Sequence, residues 1–456
     1  MNRLNGQKYI GIVFAAVLAL VLVLEIGFVP SAKHGEAFDA SALHISEVAP
    51  CNTCIVADAN GEFSDYIELY NSTDQLMDLS GLGLGDGEDS PRFVFPAGTM
   101  LEGKSAMVLF CNALPFSVND GEAVVLFDRA GAPVFTVNIP RMEKNHVLYL
   151  SGGEYVTTDA PSPGFANDEA GEAAFQSSKQ SDLPLCVNEL CAGAFTDQKG
   201  DWVEFCNTAD TAQDFSGLYL SDESTDLLKC PIPAFSLEAG EVVLLHLSDL
   251  PGSFALKSGE TLYLCDARAN VIDAVEILEA DADRSQDAAD VLDFATPGYP
   301  NDEEGLLAYL AAQDHSLVIT EVMSDNAMYL RGPYGTTHDY IELCNVNDET
   351  LDLSEFSISD STDGERFALG DGELLAGECI VFLAEKDGTR FLQGYPTLDF
   401  GVSSRGETLV LYHQDRPIYL LHVPRLTRNQ AYGLDETLRP CILEETSIGV
   451  FERGNS

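Results

Sequence analysis

DYIELYN (Asp65–Asn71), DWVEFCN (Asp201–Asn207) and DYIELCN (Asp339–Asn345) are three versions of one strand, each with a single Glu set among aromatic and aliphatic residues. Upstream of each stands a shorter strand that also carries a Glu: ISEV (Ile45–Val48), VNEL (Val187–Leu190) and ITEV (Ile319–Val322). Downstream comes an Asp-led segment, DLSGLGLGD (Asp78–Asp86), DFSGLYLSD (Asp214–Asp222) and DLSEFSISD (Asp352–Asp360). In every copy the strand Glu lies ten residues before the first Asp of that segment and eighteen before its last. A register held this strictly means one structural unit used three times.

The rest of each copy reads as more strands: AMVLFC, EAVVLFD and APVFTV in the first, EVVLLHL, ETLYLCD and NVIDAVEI in the second, CIVFLAE, ETLVLYH and PIYLLHV in the third. Short β-branched and aromatic runs broken by Gly, Asp, Asn and Pro are strand and turn signals. A Gly-Glu pair recurs before one of the later strands (Gly121-Glu122, Gly259-Glu260, Gly406-Glu407). Without a long helical pattern, each copy predicts an antiparallel β-sandwich, and the chain an all-β array of three. The length of 456 residues agrees, at about 150 residues per domain.

Two copies close on the same phrase, SPGFANDEAG (Ser162–Gly171) and TPGYPNDEEG (Thr296–Gly305), whereas the third ends in TSIGVFERGNS and lacks the Pro. These phrases place the sandwiches at 43–167, 184–301 and 316–456, with brief linkers of helical character at 168–183 and 302–315. The second copy is shorter after its first strand, with fifteen residues from Glu189 to Glu204 against twenty-one in its sisters.

Residues 1–32 differ in kind: Arg3 and Lys8 precede an apolar run from Tyr9 that continues past Glu25 to Val29. That length approaches the roughly 20 residues a membrane-spanning helix needs. Cations before the run orient the body outward, so the expectation is a single-pass membrane anchor through residues 9–29 with the body extracellular, or secretion after signal cleavage. The body carries the charge: the whole chain has 24 basic against 74 acidic residues and a net charge of −50, of which the first 29 residues hold only Arg3, Lys8 and Glu25. Such a surface repels nucleic-acid phosphate and condenses cations.

Eleven cysteines invite a disulfide framework, yet the repeat argues against one. Cys206 and Cys344 stand where the first copy has Tyr70, Cys265 where its sisters have Phe127 and Tyr412, and Cys191 where they have Ala49 and Met323. Interchange with apolar side chains marks most of them as small buried hydrophobes. Cys51 and Cys54 form the one C-x-x-C pair, but zinc needs two further ligands that have no clear candidate nearby. A local disulfide or two thiols is the expectation there. Trp202 replaces Tyr66 and Tyr340 and reads as packing.

Taken in order, the I-x-E-V strand, the D-Y-I-E-L-x-N strand, the D-L-S-G-x-x-L-x-D segment, the G-E-x-V-x-L strand and the T-P-G-x-x-N close resemble the lamin-tail domain. The resemblance covers nearly everything outside the first 42 residues and the linkers. It implies three immunoglobulin-like β-sandwiches and, with the export segment and no coiled-coil rod, the bacterial exported branch of that family. There such domains occur in tandem or beside spore-coat-type kinase, nuclease or other surface modules. The expected function is a non-catalytic binding, adhesion or spacer module at the cell surface, its partner a protein or cell-envelope polymer.

The recurring carboxylates are the candidate site residues: Glu47, Glu68 and Asp86; Glu189, Glu204 and Asp222; Glu321, Glu342 and Asp360. Converging with carbonyl oxygens, they would suit Ca²⁺, which makes a Ca²⁺-dependent adhesion or carbohydrate-binding module one alternative and an accessory to a secreted nuclease or kinase another. A plainer reading puts Glu68 and its equivalents on the solvent side of a strand, while Asn71, Asp78, Ser80 and Asp86 tie off turns. Asp281-Ala-Asp-Arg-Ser-Gln-Asp287 lacks the Gly and the twelfth-position acid of a calcium loop, and Gly81–Gly87 fits no phosphate-binding spacing. No local hydrolase or metalloprotease motif occurs, and the eight histidines are scattered. No catalytic residue and no cofactor other than Ca²⁺ is expected.

Overall fold

A computed structural model of the chain describes residues 42–87, 89–312, 316–331, 334–386 and 391–451. The apolar segment expected to anchor the protein lies outside these residues; among them, no helix is long and apolar enough to cross a membrane. The architecture is all-β and immunoglobulin-like, with antiparallel pairing almost throughout and, among the described residues, two ten-residue helices. It divides into two compact units, one ending at Ser178 and the other starting at Lys179.

In the first unit a five-stranded sheet runs in the order Glu154–Thr158, Val147–Ser151, Leu43–Ala49, Tyr66–Asn71, Ala106–Phe110. The partner sheet runs Phe93–Val94, Gly83–Gly85, Ala123–Phe127, Pro133–Asn138. Ile45, Val48, Ile67 and Leu69 from one sheet meet Leu84, Val124, Leu126 and Val137 from the other in a single buried core. The second unit repeats this arrangement twice. Its first sandwich pairs Leu185–Cys191, Trp202–Asn207 and Val242–His246, and sets Leu218–Ser221 beside Thr261–Asp266 and Val271–Glu276. Its second places Leu317–Met323, Asp339–Asn345 and Cys379–Ala384 side by side, opposite Phe356–Ser359, Glu407–His413 and Arg416–Val423.

Strand number varies among the copies. The second lacks the outer hairpin of its sisters, and only isolated bridges at Gln286 reach Leu190 and Val291. The third adds Tyr395–Leu398 in parallel along the outer edge of Cys379–Ala384.

The shared detail is a β-bulge. In each copy the pairing of the first strand with the acidic strand slips by one residue, at Ser46, Asn188 and Thr320. A bulge inserts one residue and re-aims its neighbours. Ile45 and Val48 therefore both enter the core although they are three apart, as do Val187 and Leu190 and Ile319 and Val322.

Residues 169–178, expected within a linker, form a helix on the outer face of the first sandwich. Asp168 caps it, accepting the Gly171 N–H at 2.8 Å, and Glu169 and Glu172 favour its positive end. Its Phe175 packs on Phe165, and Tyr149 Oη donates to Glu172 at 2.8 Å. Glu303–Ala312 starts in the same way, with Asp302 accepting from Gly305 at 2.8 Å and Tyr309 packed on Tyr299.

Candidate functional site

Glu47 and Glu68 are direct partners across the first two strands, as are Glu189 and Glu204 and Glu321 and Glu342. All six are at most 1% exposed, which corrects the plainer expectation for Glu68: its side of the strand faces away from the sandwich core but not toward water. What covers it is the closing phrase. Glu47 Oε2 accepts the Ser162 N–H at 3.0 Å and Glu68 Oε2 the Gly164 N–H at 2.6 Å. In the second copy Thr296 N–H reaches Glu189 at 3.0 Å and Gly298 N–H reaches Glu204 at 2.6 Å. In the third, Ser447 N–H reaches Glu321 at 2.9 Å, and Gly449 N–H donates to Glu342. The terminal TSIGVF, which looked degenerate in sequence, makes the same two bonds without the Pro.

The closing tripeptide is a type II turn, which needs φ above zero at its third position and favours Pro at its second. Gly164, Gly298 and Gly449 have φ of 87°, 86° and 82°, and the turn closes at 2.9 Å from Phe165 N–H to Ser162 O. Its successive N–H groups point at two carboxyls on neighbouring strands, so turn and sheet are stitched together.

The bulge residue supplies the next donor. Ser46 Oγ bonds Glu68 Oε1 at 2.7 Å, Asn188 Nδ2 bonds Glu204 Oε1 at 2.6 Å and Thr320 Oγ1 bonds Glu342 Oε1 at 2.8 Å. For the first Glu, the hydroxyls of Tyr66 and Tyr340 donate to Glu47 and Glu321. Trp202 has no hydroxyl to give, and the Thr296 hydroxyl donates to Glu189 Oε2 at 2.8 Å instead. Asn167 and Asn301 complete the first two clamps by donating to the bulge carbonyls of Ser46 and Asn188 at 2.7 and 3.0 Å.

Burial dominates the electrostatics, since a desolvated carboxyl resists ionisation. Glu204 is pushed up to about 7 by burial, with Glu189's charge adding to it. Glu47 and Glu68 are raised by burial first and, at Glu68, by the charge of Glu47. Glu189, Glu321 and Glu342 move the same way for the same leading reason.

The Asp members of the candidate set lie elsewhere. Asp86 follows Gly83–Gly85 in the opposite sheet and pairs with Arg92; Asp222 follows Leu218–Ser221 and pairs with Lys229 at 2.5 Å. Asp360 follows Phe356–Ser359, at the same place in the third copy. Thus the structure joins the Glu residues in three pairs and leaves the three Asp apart. Turn-tying is seen at Asp78, which accepts the Ser80 N–H at 2.9 Å, and at Asn71, whose amide donates to Gln75, Leu101 and Glu102 carbonyls.

Two recurring positions escaped the sequence reading. The leading Asp of the acidic strand accepts a loop N–H in each copy: Asp65 from Asn52, Asp201 from Gly193 and Asp339 from Asn326, at 3.3, 2.8 and 3.0 Å. Asn145, Asp283 and Asn429 form the second, all left-handed with φ of 59°, 58° and 60°. Their side chains hold the same loop through Thr53, Thr196 and Ala327 N–H, at 2.7, 3.0 and 2.7 Å. Asp283 is the middle acid of the calcium-loop look-alike, and its carboxylate is spent on the Phe195 and Thr196 N–H groups.

Cys344, expected as a small buried hydrophobe, is joined to Cys379 in a disulfide. The two cysteines are directly opposed on neighbouring strands, a pairing that becomes visible only once the strand register is known. Cys191 and Cys265 are buried as expected, as is Trp202 at 3% exposure, and Cys51 and Cys54 form no disulfide.

Residues 37–140 match the family model of the lamin tail domain. The match ends before the closing phrase of the first copy, so the lamin-tail model includes Glu47 and Glu68 but not the turn that covers them. No curated protein matches this chain.

Proposed function

We propose that the chain is a tandem of three lamin-tail-like sandwiches of the bacterial exported branch, held outside the cell by its apolar N-terminal segment and working as a non-catalytic binding or spacer module. The observation that carries this reading is the clamp itself. The second and third copies repeat the bulge, the Glu pair and the two turn N–H bonds to it, which supports reading them as further copies of the unit whose residues 37–140 match the lamin tail model. Repeated use of one sandwich on one chain suits spacing or multivalent attachment, where linked weak contacts add. Carboxyls that are buried and held by fixed donors serve the fold. The partner of the acidic body is a protein or cell-envelope polymer.

Protease treatment of intact cells, followed by co-sedimentation of the full chain with envelope polymer, tests this directly. Release of the body by the protease and retention on the polymer are expected. A body protected from the protease, or turnover by the full chain on a panel of ester, phosphoester and glycoside substrates, would contradict it.

A further inference from the structure

In the third copy, Cys344 and Cys379 are direct cross-strand partners, and their Cα atoms lie 4.1 Å apart. The adjacent Asn345 N–H bonds Glu378 O at 3.0 Å, which makes the cysteines a non-hydrogen-bonded pair, the register in which facing side chains come closest. Two oxygens crowd the same sulfur: Thr320 Oγ1 is 3.2 Å and Glu342 Oε1 3.7 Å from Cys344 Sγ. The ligand atoms of Glu342, Cys344 and Cys379 all fall within 4.8 Å of one another. In the first copy Tyr70 faces Ala106 at this register, and in the second Cys206 faces Val242 on that side, its cross-strand cysteine Cys186 lying on the other side and unbonded to it.

We propose that the dithiol form of Cys344 and Cys379, together with Glu342, is a binding site for Zn²⁺ or a similar thiophilic divalent cation. The geometry fits the ion. Tetrahedral zinc, with Zn–S of about 2.3 Å and Zn–O of about 2.1 Å, sets sulfur and oxygen ligands about 3.6 Å apart, and the Glu342 oxygen already stands 3.7 Å from Cys344 Sγ. The sulfurs must separate to about 3.8 Å for the same ion, which side-chain rotation at a close cross-strand pair permits, and the Glu342 oxygen already lies within 4.8 Å of both. Glu342 Oε2 stays on the Gly449 N–H while Oε1 uses its second lone pair, so the clamp and the ion share the carboxylate. Cys379 is partly exposed, which gives the ion its way in, and water takes the fourth position.

Loading needs the S–S bond broken first. With a phosphine reductant, the two sulfurs take two electrons and two protons, and the phosphine leaves as its oxide with the oxygen of a water molecule. Zn²⁺ then displaces the two thiol protons to solvent, since the thiolate is the ligand. The site is independent of the functional reading above, because it asks nothing of a partner.

The test uses the full chain in detergent, reduced with phosphine and stripped of metal, titrated with Co²⁺ for thiolate-to-metal absorption and then with Zn²⁺ against a chromophoric chelator. Nine other cysteines are present, so the reading is a difference between variants. The wild type is expected to bind one more ion than the Cys344→Ser/Cys379→Ser double variant, and Glu342→Gln to weaken that site at least tenfold. The oxidised wild type, whose fold no substitution has touched, is expected to lack it. Equal stoichiometry in wild type and double variant, equal binding by the oxidised chain, or unchanged affinity in Glu342→Gln would each overturn the assignment.

Discussion

Glu47 and Glu68 face each other across neighbouring strands, and each carboxyl closes on a backbone N–H of the same tripeptide, Ser162 and Gly164, more than ninety residues away. A side chain that looked like a ligand is the fastener between the start and the end of a sandwich. The consequences are measurable.

Glu68→Ala removes the acceptor of the part-buried Gly164 N–H and leaves the buried Ser46 hydroxyl only the Glu68 carbonyl oxygen at 3.3 Å, and an unsatisfied buried donor costs about 1–3 kcal/mol. The first unit should lose about 3 kcal/mol, read by chemical denaturation of the full chain. Glu68→Gln keeps one acceptor oxygen and should lose about half as much. Equal losses would show that the site registers volume rather than hydrogen bonding.

Gly164→Ala tests the turn rather than the carboxyl. A Cβ there meets nothing within 4 Å, but φ is +87°, a left-handed backbone that costs an ordinary residue about 1–2 kcal/mol. Gly449→Ala, at +82° and equally open, should cost the same. Gly171→Ala should cost more, because its Cβ would lie 1.8 Å from Ala166 O. Thermal denaturation of the three variants ranks them.

The pH dependence has a definite sign. Glu204 titrates near 7 in the fold, raised by burial, and close to its ordinary value when unfolded. Between those values the folded chain holds more protons, so stability is fully present below the ordinary carboxylate range and falls as pH rises through about 7. Between pH 5.5 and 8 the second copy should lose about 2 kcal/mol from this group. Urea midpoints at pH 5.5 and 8 measure the slope, and Glu204→Gln should flatten it; an unchanged slope would remove Glu204 as its source.

Calcium separates fastener from ligand. With the Glu pairs turned onto internal donors and the Asp residues in the opposite sheet, millimolar Ca²⁺ should leave the melting temperature within about 1 °C of that in EDTA, because a specific site would stabilise by RT ln(1 + [L]/Kd). A concentration-dependent rise abolished by Glu68→Gln would restore the calcium reading.

Much of this was legible in the residues. The threefold spacing gave the sandwich, and the turn roles of Asn71 and Asp78 followed from their chemistry. What stayed hidden was the bulge, although a signal for it existed: Ile45 and Val48 are apolar at a spacing of three, which no regular strand places on one face. Reading it would have put Ser46 and Glu47 together on the outer side. The cover over Glu68 was harder to foresee, because strand alternation says which face a residue takes and not what a segment ninety residues later lays on it. Asp283 stands where the other copies have Asn145 and Asn429, so the shared left-handed backbone and the shared bond to the loop reveal the three as one position. The Cys344–Cys379 bond required the register of two strands that share no motif.

Hydrogen exchange followed by mass spectrometry on peptides covering 160–168, 294–302 and 445–451 tests the clamp most directly. The account predicts slow exchange in all three for the wild type, and in Glu68→Ala a loss of protection confined to 160–168. Fast exchange of these turns in the wild type, or an unchanged 160–168 peptide in the variant, would contradict it.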